Sequence, residues 1–204
     1  MTLRIDDFKT ALSGGGARAN LFRCTVYWPN ADIQGDANLN IGGEALHSFM
    51  IKQVQMPGST IGMIPVYFRG RQLKVTGDRT FEDITMTVTN DNNFAVRNAF
   101  ERWHDAINGN ASNQSGRGIN ATNFNSYVAT MEIEQLGRDG SVVKRYRLIG
   151  AWPMNVDPID VSYDSTDEIE TFGVTMTCQW WESDTVEDPS TGGFVTPPTP
   201  APGG

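Results

Sequence analysis

The chain has 204 residues, of which 20% are charged, and its 24 Asp and Glu outnumber 16 Lys and Arg for a net charge of −8. A chain of this length can build a core without disulfides or metals, and its negative balance argues against a nucleic-acid binder, which would carry a basic stripe. Cys24 and Cys178 belong to no Cys-x-x-Cys pair and neither has a nearby His, so both read as packing thiols rather than zinc ligands.

In chain order, Ile5, Phe8 and Leu12 mark a short amphipathic N-terminal helix that ends at Gly14-Gly15-Gly16. Leu21–Trp28 reads as a strand stopped by Pro29, residues 31–44 as an Asn/Asp/Gly-rich loop, and Phe49–Val54 as a second strand. Pro57-Gly58-Ser59 and Gly62 break the next stretch. Short strands are then expected at Val66–Phe68, after Pro65, and at Gln72–Thr76, ending at Gly77-Asp78. From Thr80 to Thr89, Ile84, Met86 and Val88 alternate with threonines, the pattern of a half-buried strand.

The period then changes to that of a helix over about residues 94–108, with Val96, Phe100, Trp103 and Ile107 on one stripe expected to pack against the sheet. Asn90-Asp91-Asn92-Asn93 supplies capping side chains at its start, Arg97 and Glu101 stand at i,i+4 spacing, and Asn108-Gly109 ends it. Residues 110–125 read as a polar mobile loop. Tyr127–Leu136 and Ser141–Trp152 form a hairpin through Arg138-Asp139-Gly140. Pro153–Ser165 is turn-rich and acidic, and Ile169–Trp181 is a long last strand with Val174, Met176, Cys178 and Trp180 on one face. Thr-Met-Thr occurs at 85–87 and again at 175–177, in strands of matching pattern. The expected fold is mainly β, a sandwich or barrel with one packed helix and a short N-terminal helix. Residues 1–186 form its single domain, and residues 187–204 a Pro/Gly-rich tail.

Catalytic material is scarce. His47 and His104 are the only imidazoles, and His104, beside Trp103, is expected on the exposed side of the helix. No Gly-Lys pair completes the glycine-rich stretch at Gly14–Gly16 as a phosphate loop. Glu82 and Asp83 are neighbours on an expected strand and would face opposite sides. No enzyme, cofactor or metal is therefore expected. There is no basic segment followed by an apolar run at Met1–Phe8, nor any apolar stretch near the ~20 residues of a membrane span, so synthesis in a cytoplasm without stable membrane insertion is expected.

Four stretches in order carry a resemblance: Gly14–Phe22; Met56-Pro-Gly-Ser-Thr-Ile-Gly62 with Pro65–Lys74; Gly77-Asp-Arg-Thr-Phe-Glu-Asp83 on through Asn108; and Tyr163–Val174. Across about residues 5–181 the chain resembles the tail tube proteins of contractile-tailed bacteriophages. The resemblance implies hexameric rings that stack into a hollow tube inside a contractile sheath, a conduit through which DNA passes without specific binding. It implies contacts with further copies and with sheath, baseplate or tube-initiator, tail terminator and tape-measure proteins, and a place in the virion tail after synthesis in the host cytoplasm. A tube of a DNA-free injection particle and a monomeric β-sandwich binding module remain alternatives.

Subunit contacts are expected from two charge runs. Arg69, Arg71, Lys74 and Arg79 form the basic one; Asp157, Asp160, Asp164, Asp167, Glu168 and Glu170 form the acidic one. Residues 151–204 contain no Lys or Arg and ten acids. Some of these side chains are expected to meet across subunits and others to line the lumen, where negative walls keep DNA from adhering.

Overall fold

A computed structural model describes residues 4–12, 16–38, 40–41, 44–120 and 122–184. Gly14 and Gly15, where the N-terminal helix was expected to end, and the Pro-rich stretch from Glu187 fall outside these residues. The fold is mainly β. A seven-stranded antiparallel sheet runs in the order β1 (Phe22–Tyr27), β8 (Ala129–Leu136), β9 (Val142–Val156), β10 (Thr171–Thr177), β7 (Ile84–Thr89), β4 (Ile51–Val54), with β11 (Trp180–Ser183) also on β9. β5 (Ser59–Phe68) and β6 (Arg71–Phe81) form a separate ribbon, and β2 (Asn40–Ile41) and β3 (Glu44–Ala45) a minimal one.

The long strand β9 organises the sheet. Its first part pairs with β8 and β11 and its last part with β10. The parts meet at Gly150, whose φ of +65° lies in the left-handed region. A Cβ there would stand 2.8 Å from Gln179 Cγ. This bend is why the expected last strand is broken: β10 ends at Thr177, Gln179 donates its N–H to the Ile149 carbonyl at 3.0 Å, and β11 restarts on the other part of β9. Cys178 lies between the two strands, half-buried against the core that holds Val174 and Met176, and Trp180 is exposed. Side chains of both parts share one core: Cys24, Val26, Met131 and Ile133 with Ile84, Met86, Phe172 and Val174.

The helix α4 (Ala95–Ile107) closes that core. Val96, Phe100 and Trp103 are fully buried and Ile107 packs at the margin. The Trp103 indole N–H donates to the Tyr127 carbonyl at 2.8 Å, so its one polar atom is satisfied. Of the four candidate capping residues, Asp91 does the capping, its carboxylate accepting from the N–H groups of Ala95 (2.8 Å) and Asn93 (3.1 Å). His104 is not solvent-facing as expected: its Nε2 lies 3.1 Å from the Pro153 carbonyl on β9. Burial of Ala95, Ala99 and Ala106 as well widens the covered arc of this helix beyond its large apolar stripe.

Several local expectations change. Residues 31–38 are helical rather than loop: α2 (Ala31–Gln34), capped by the Asn30 side chain at Ile33 N–H (3.0 Å), leads into a 3-10 turn at Gly35–Asn38. Ile33 and Ala37 are buried there, so apolar anchors fold a segment that looks polar throughout. Phe49 and Met50 belong to α3 (Leu46–Met50), not to the strand. The stretch at 110–125 contributes Ile119 to the core and ends in α5 (Phe124–Tyr127). β9 continues through Pro153 to Val156. Among the described residues no helix is long and apolar enough to cross a membrane.

Candidate assembly surfaces

The β5–β6 ribbon is longer than Gly62, Pro65 and Gly77 led us to expect. In a two-stranded ribbon each strand is an edge, which tolerates proline. Gly62 sits at a bulge between Ile61 and Met63. Gly77 lies opposite, where a Cβ would come within 3.1 Å of the Gly62 backbone. Arg69 (φ 48°) and Gly70 (φ 79°) form the two-residue turn at the tip, and positive φ at both positions matches the twist of the strands.

The register puts Ile64 opposite Val75, Val66 opposite Leu73 and Phe68 opposite Arg71. One face of the ribbon thus presents five apolar side chains and Arg71, and all are exposed, Phe68 by 70%. Lys74 pairs with Pro65 on the other face, beside Tyr67, which is 74% exposed. The base is clamped to the body: the Trp181 indole N–H donates to the Gly58 carbonyl at 3.0 Å, and the Arg79 guanidinium lies over the Phe81 and Trp181 rings at 5.3 and 5.6 Å. Arg69 lies over Phe68 at 5.3 Å. Glu82 and Asp83 fall between strands rather than on one, and Glu82 turns back to accept from the Thr60 hydroxyl at 2.8 Å.

The acidic run occupies the connection from β9 to β10. The Asp157 N–H donates to the Gly173 carbonyl, and its carboxylate accepts from the Asn155 amide at 2.6 Å. The Glu170 backbone carbonyl and carboxylate both accept from Asn90, at 2.9 and 3.3 Å. Asp160, Asp164, Asp167 and Glu168 are exposed, beside the exposed apolar side chains of Val161, Tyr163 and Ile169. Among the described residues, none of the ten charged candidates forms an ion pair within the chain. The structure brings together no member of the basic run with any member of the acidic run.

Besides pairs on the N-terminal helix and α4 (Lys9 with Asp6, Arg97 with Glu101) and one from Arg117 to Asp105, ion pairs cluster on one face of β1, β8 and β9. Glu134, almost fully buried, accepts from Arg23 Nε and Arg145 Nε at 2.7 Å each. Arg23 also reaches Glu44 at 2.6 Å, and Glu132 accepts from Arg147 at 2.9 Å and the Tyr27 hydroxyl at 3.1 Å. This cross-strand ladder was absent from the sequence expectations. Its signal was present as Glu132 and Glu134 facing Arg147 and Arg145 across one hairpin.

The bare apolar stripe of α1 (Ile5–Ala11) is a further open surface: Ile5 and Phe8 are 67% and 61% exposed. Nothing in the described structure assembles acid–base chemistry. An open groove between β1 and β4, lined by Phe22, Val54, Met56 and Lys52, holds no catalytic cluster. No described group of three or more His, Cys, Asp or Glu is placed to hold a metal ion. Burial pushes the Cys24 thiol up strongly and the Cys178 thiol up to about 11, the latter helped by Asp83, so neither is a ready nucleophile.

A family model described as phage tail tube protein matches residues 17–183. The chain is 32% identical over 180 residues to the tail tube protein gp19 of Enterobacteria phage T4, covering 87% of this chain and 99% of that protein. It is 28% identical to the tail tube protein of Serratia phage KSP90, covering 82% and 90%. In fold it is similar to a chain in the cryo-EM structure of the anti-feeding prophage baseplate, 6-fold symmetrised (TM-score 0.56, 11% identity, 82% of this chain and 95% of that one). It is also similar to one in the sheath-tube complex of an extracellular contractile injection system (TM-score 0.53, 14% identity, 86% and 95%).

Proposed function

The chain belongs to the phage tail tube protein family, and on that premise we propose that it is the repeating subunit of a hollow tail tube, a structural protein and not an enzyme. Its working form is a ring, six-fold like the symmetry named for the baseplate structure it resembles in fold, and rings stack to enclose a channel inside a contractile sheath. The channel conducts the genome without binding it specifically, in keeping with a net charge of −8. The subunit is made in the host cytoplasm and ends in the virion tail. Besides its own copies it meets sheath, baseplate or tube-initiator, tail terminator and tape-measure proteins.

The observation that carries this reading is the solvated β5–β6 ribbon. An isolated two-stranded ribbon is marginal in water, and an apolar face of this kind marks a protein contact. This face and the bare α1 stripe together offer two apolar surfaces for other copies to cover. A DNA-free injection device is a second reading, favoured by the fold likeness to an extracellular contractile injection system. The 32% identity to a phage tube protein, against 14% there, favours the phage tail. Size-exclusion chromatography with light scattering tests the class. Rings or polymers are expected, and a strict monomer at every concentration is the result of a binding module and overturns the proposal.

A further inference from the structure

We propose that residues Phe194–Pro202 of this chain's own Pro-rich tail lie in the groove between β1 and β4 and close that end of the core. The groove measures about 630 Å³, and Phe22, Val54 and Met56 line it together with Lys52 and Gln53. Phe22 and Val54 also pack against the buried core, so the groove is where that core opens to solvent. β1 and β4 are the two ends of the strand path, and among the described residues no strand joins them. The tail has the chemistry to fill this gap. Phe194 and Val195 bring apolar bulk to an apolar lining. The run Thr196-Pro-Pro-Thr-Pro-Ala-Pro202 that follows favours an extended polyproline II helix. Such a segment loses little entropy on docking in an aromatic-lined groove, and its carbonyls accept from donors such as Lys52 and Gln53. Charge agrees as well. The groove lining includes no acid, and Lys52 forms no ion pair among the described residues. Glu187 and Asp188 stand before the apolar pair in a tail that contains no Lys or Arg.

Placement makes the contact one within a single chain. The Asp184 N–H donates to the Arg145 carbonyl at 3.2 Å, and its carboxylate lies 2.9 Å from Lys144 Nζ. Lys144 stands opposite Gln135 on β8, and Gln135 stands opposite Phe22 on β1. Gln135 and Phe22 both line the groove. The tail thus leaves the body three strand spacings from its site, about 14 Å. Phe194 follows Asp184 by ten positions, and an extended segment of that length reaches about 30 Å. The chain's own tail therefore arrives with slack, at an effective concentration that a separate copy in dilute solution does not match. The family match ends at residue 183, so this contact lies outside the body shared with tail tube proteins and does not depend on the tube reading.

The test uses the full chain with a benzophenone amino acid in place of Phe194. Isotope-labelled and unlabelled chains are mixed in dilute solution, irradiated and digested, and the cross-linked peptides are weighed. Cross-links are expected chiefly to the segments around Phe22 and around Val54–Met56, each within chains of one isotope. Cross-links scattered over the surface without preference for those segments overturn the proposal. Groove cross-links that join labelled to unlabelled chains also overturn it, because the occupant is then another copy. Hydrogen exchange supplies a second reading without the probe. In F194S/V195S, whose changes lie in the tail and outside the described body, exchange across Lys52–Met56 is expected to quicken about tenfold relative to the wild type. Equal exchange in the two proteins means that the groove is not covered by this segment.

Discussion

His47 Nε2 accepts the Val26 backbone N–H at 3.0 Å, and its Nδ1–H donates to the Ala37 carbonyl, also at 3.0 Å. With Ser48 Oγ donating to the Cys24 carbonyl at 2.8 Å, the two side chains satisfy the outer edge of β1. That edge would otherwise be open to pairing with another strand. The arrangement requires a neutral imidazole, because a second proton would abolish the acceptor.

Burial holds the His47 pKa below its ordinary value, against a smaller opposing effect of the Ala37 carbonyl. The unfolded chain then takes up its proton first, near pH ~6.5. The stability due to neutral His47 is complete above that pH and is lost as pH falls through and below it. Melting temperatures at about pH 7.5 and about pH 5.5 should show a drop in the wild type that His47→Gln lacks. An equal drop in both proteins would mean that His47 does not carry the pH dependence.

Trp103 is fully buried, stands 5.6 Å from Trp28 and runs parallel to Phe100 at 6.4 Å. Trp103→Ala leaves a large cavity and orphans the Tyr127 carbonyl, so a loss of about 3–5 kcal/mol is expected from denaturant titration. A loss below about 1 kcal/mol would mean that α4 does not close the core.

Glu134 lies between two guanidinium groups. Glu134→Gln leaves Arg23 and Arg145 facing each other without a shared counter-charge. Removing one member of a fully buried pair costs about 3–5 kcal/mol. Arg23 and Arg145 are 36% and 35% exposed, and solvent screening reduces the expected loss to about 1–3 kcal/mol. The loss should shrink in high salt. A neutral substitution would make the ladder a solvated decoration.

What the sequence disclosed depended on whether the determinant was local. The strand-to-helix switch at Asn90 was readable because period and cap lie within one stretch. The twin Thr-Met-Thr segments proved to be paired neighbours, with Thr85 opposite Thr175, so their matching pattern reflects a shared buried face. The long ribbon was hidden because Gly62 and Pro65 break strands inside sheets but not in a solvated ribbon. The break at Cys178 follows from Gly150, 28 positions earlier in the chain, and only the fold places the two together. The Glu134 ladder needed the β8–β9 register. The charged runs were visible as composition, and their placement on the ribbon and on the connection from β9 to β10 was not.

The tube reading requires this chain to close rings and stack them. Cryo-electron microscopy of the purified full chain tests that most directly. Hollow tubes of stacked six-fold rings are predicted, with the β5–β6 ribbon covered by a neighbouring copy. Particles that remain single subunits, or assemblies in which that ribbon stays solvated, would contradict it.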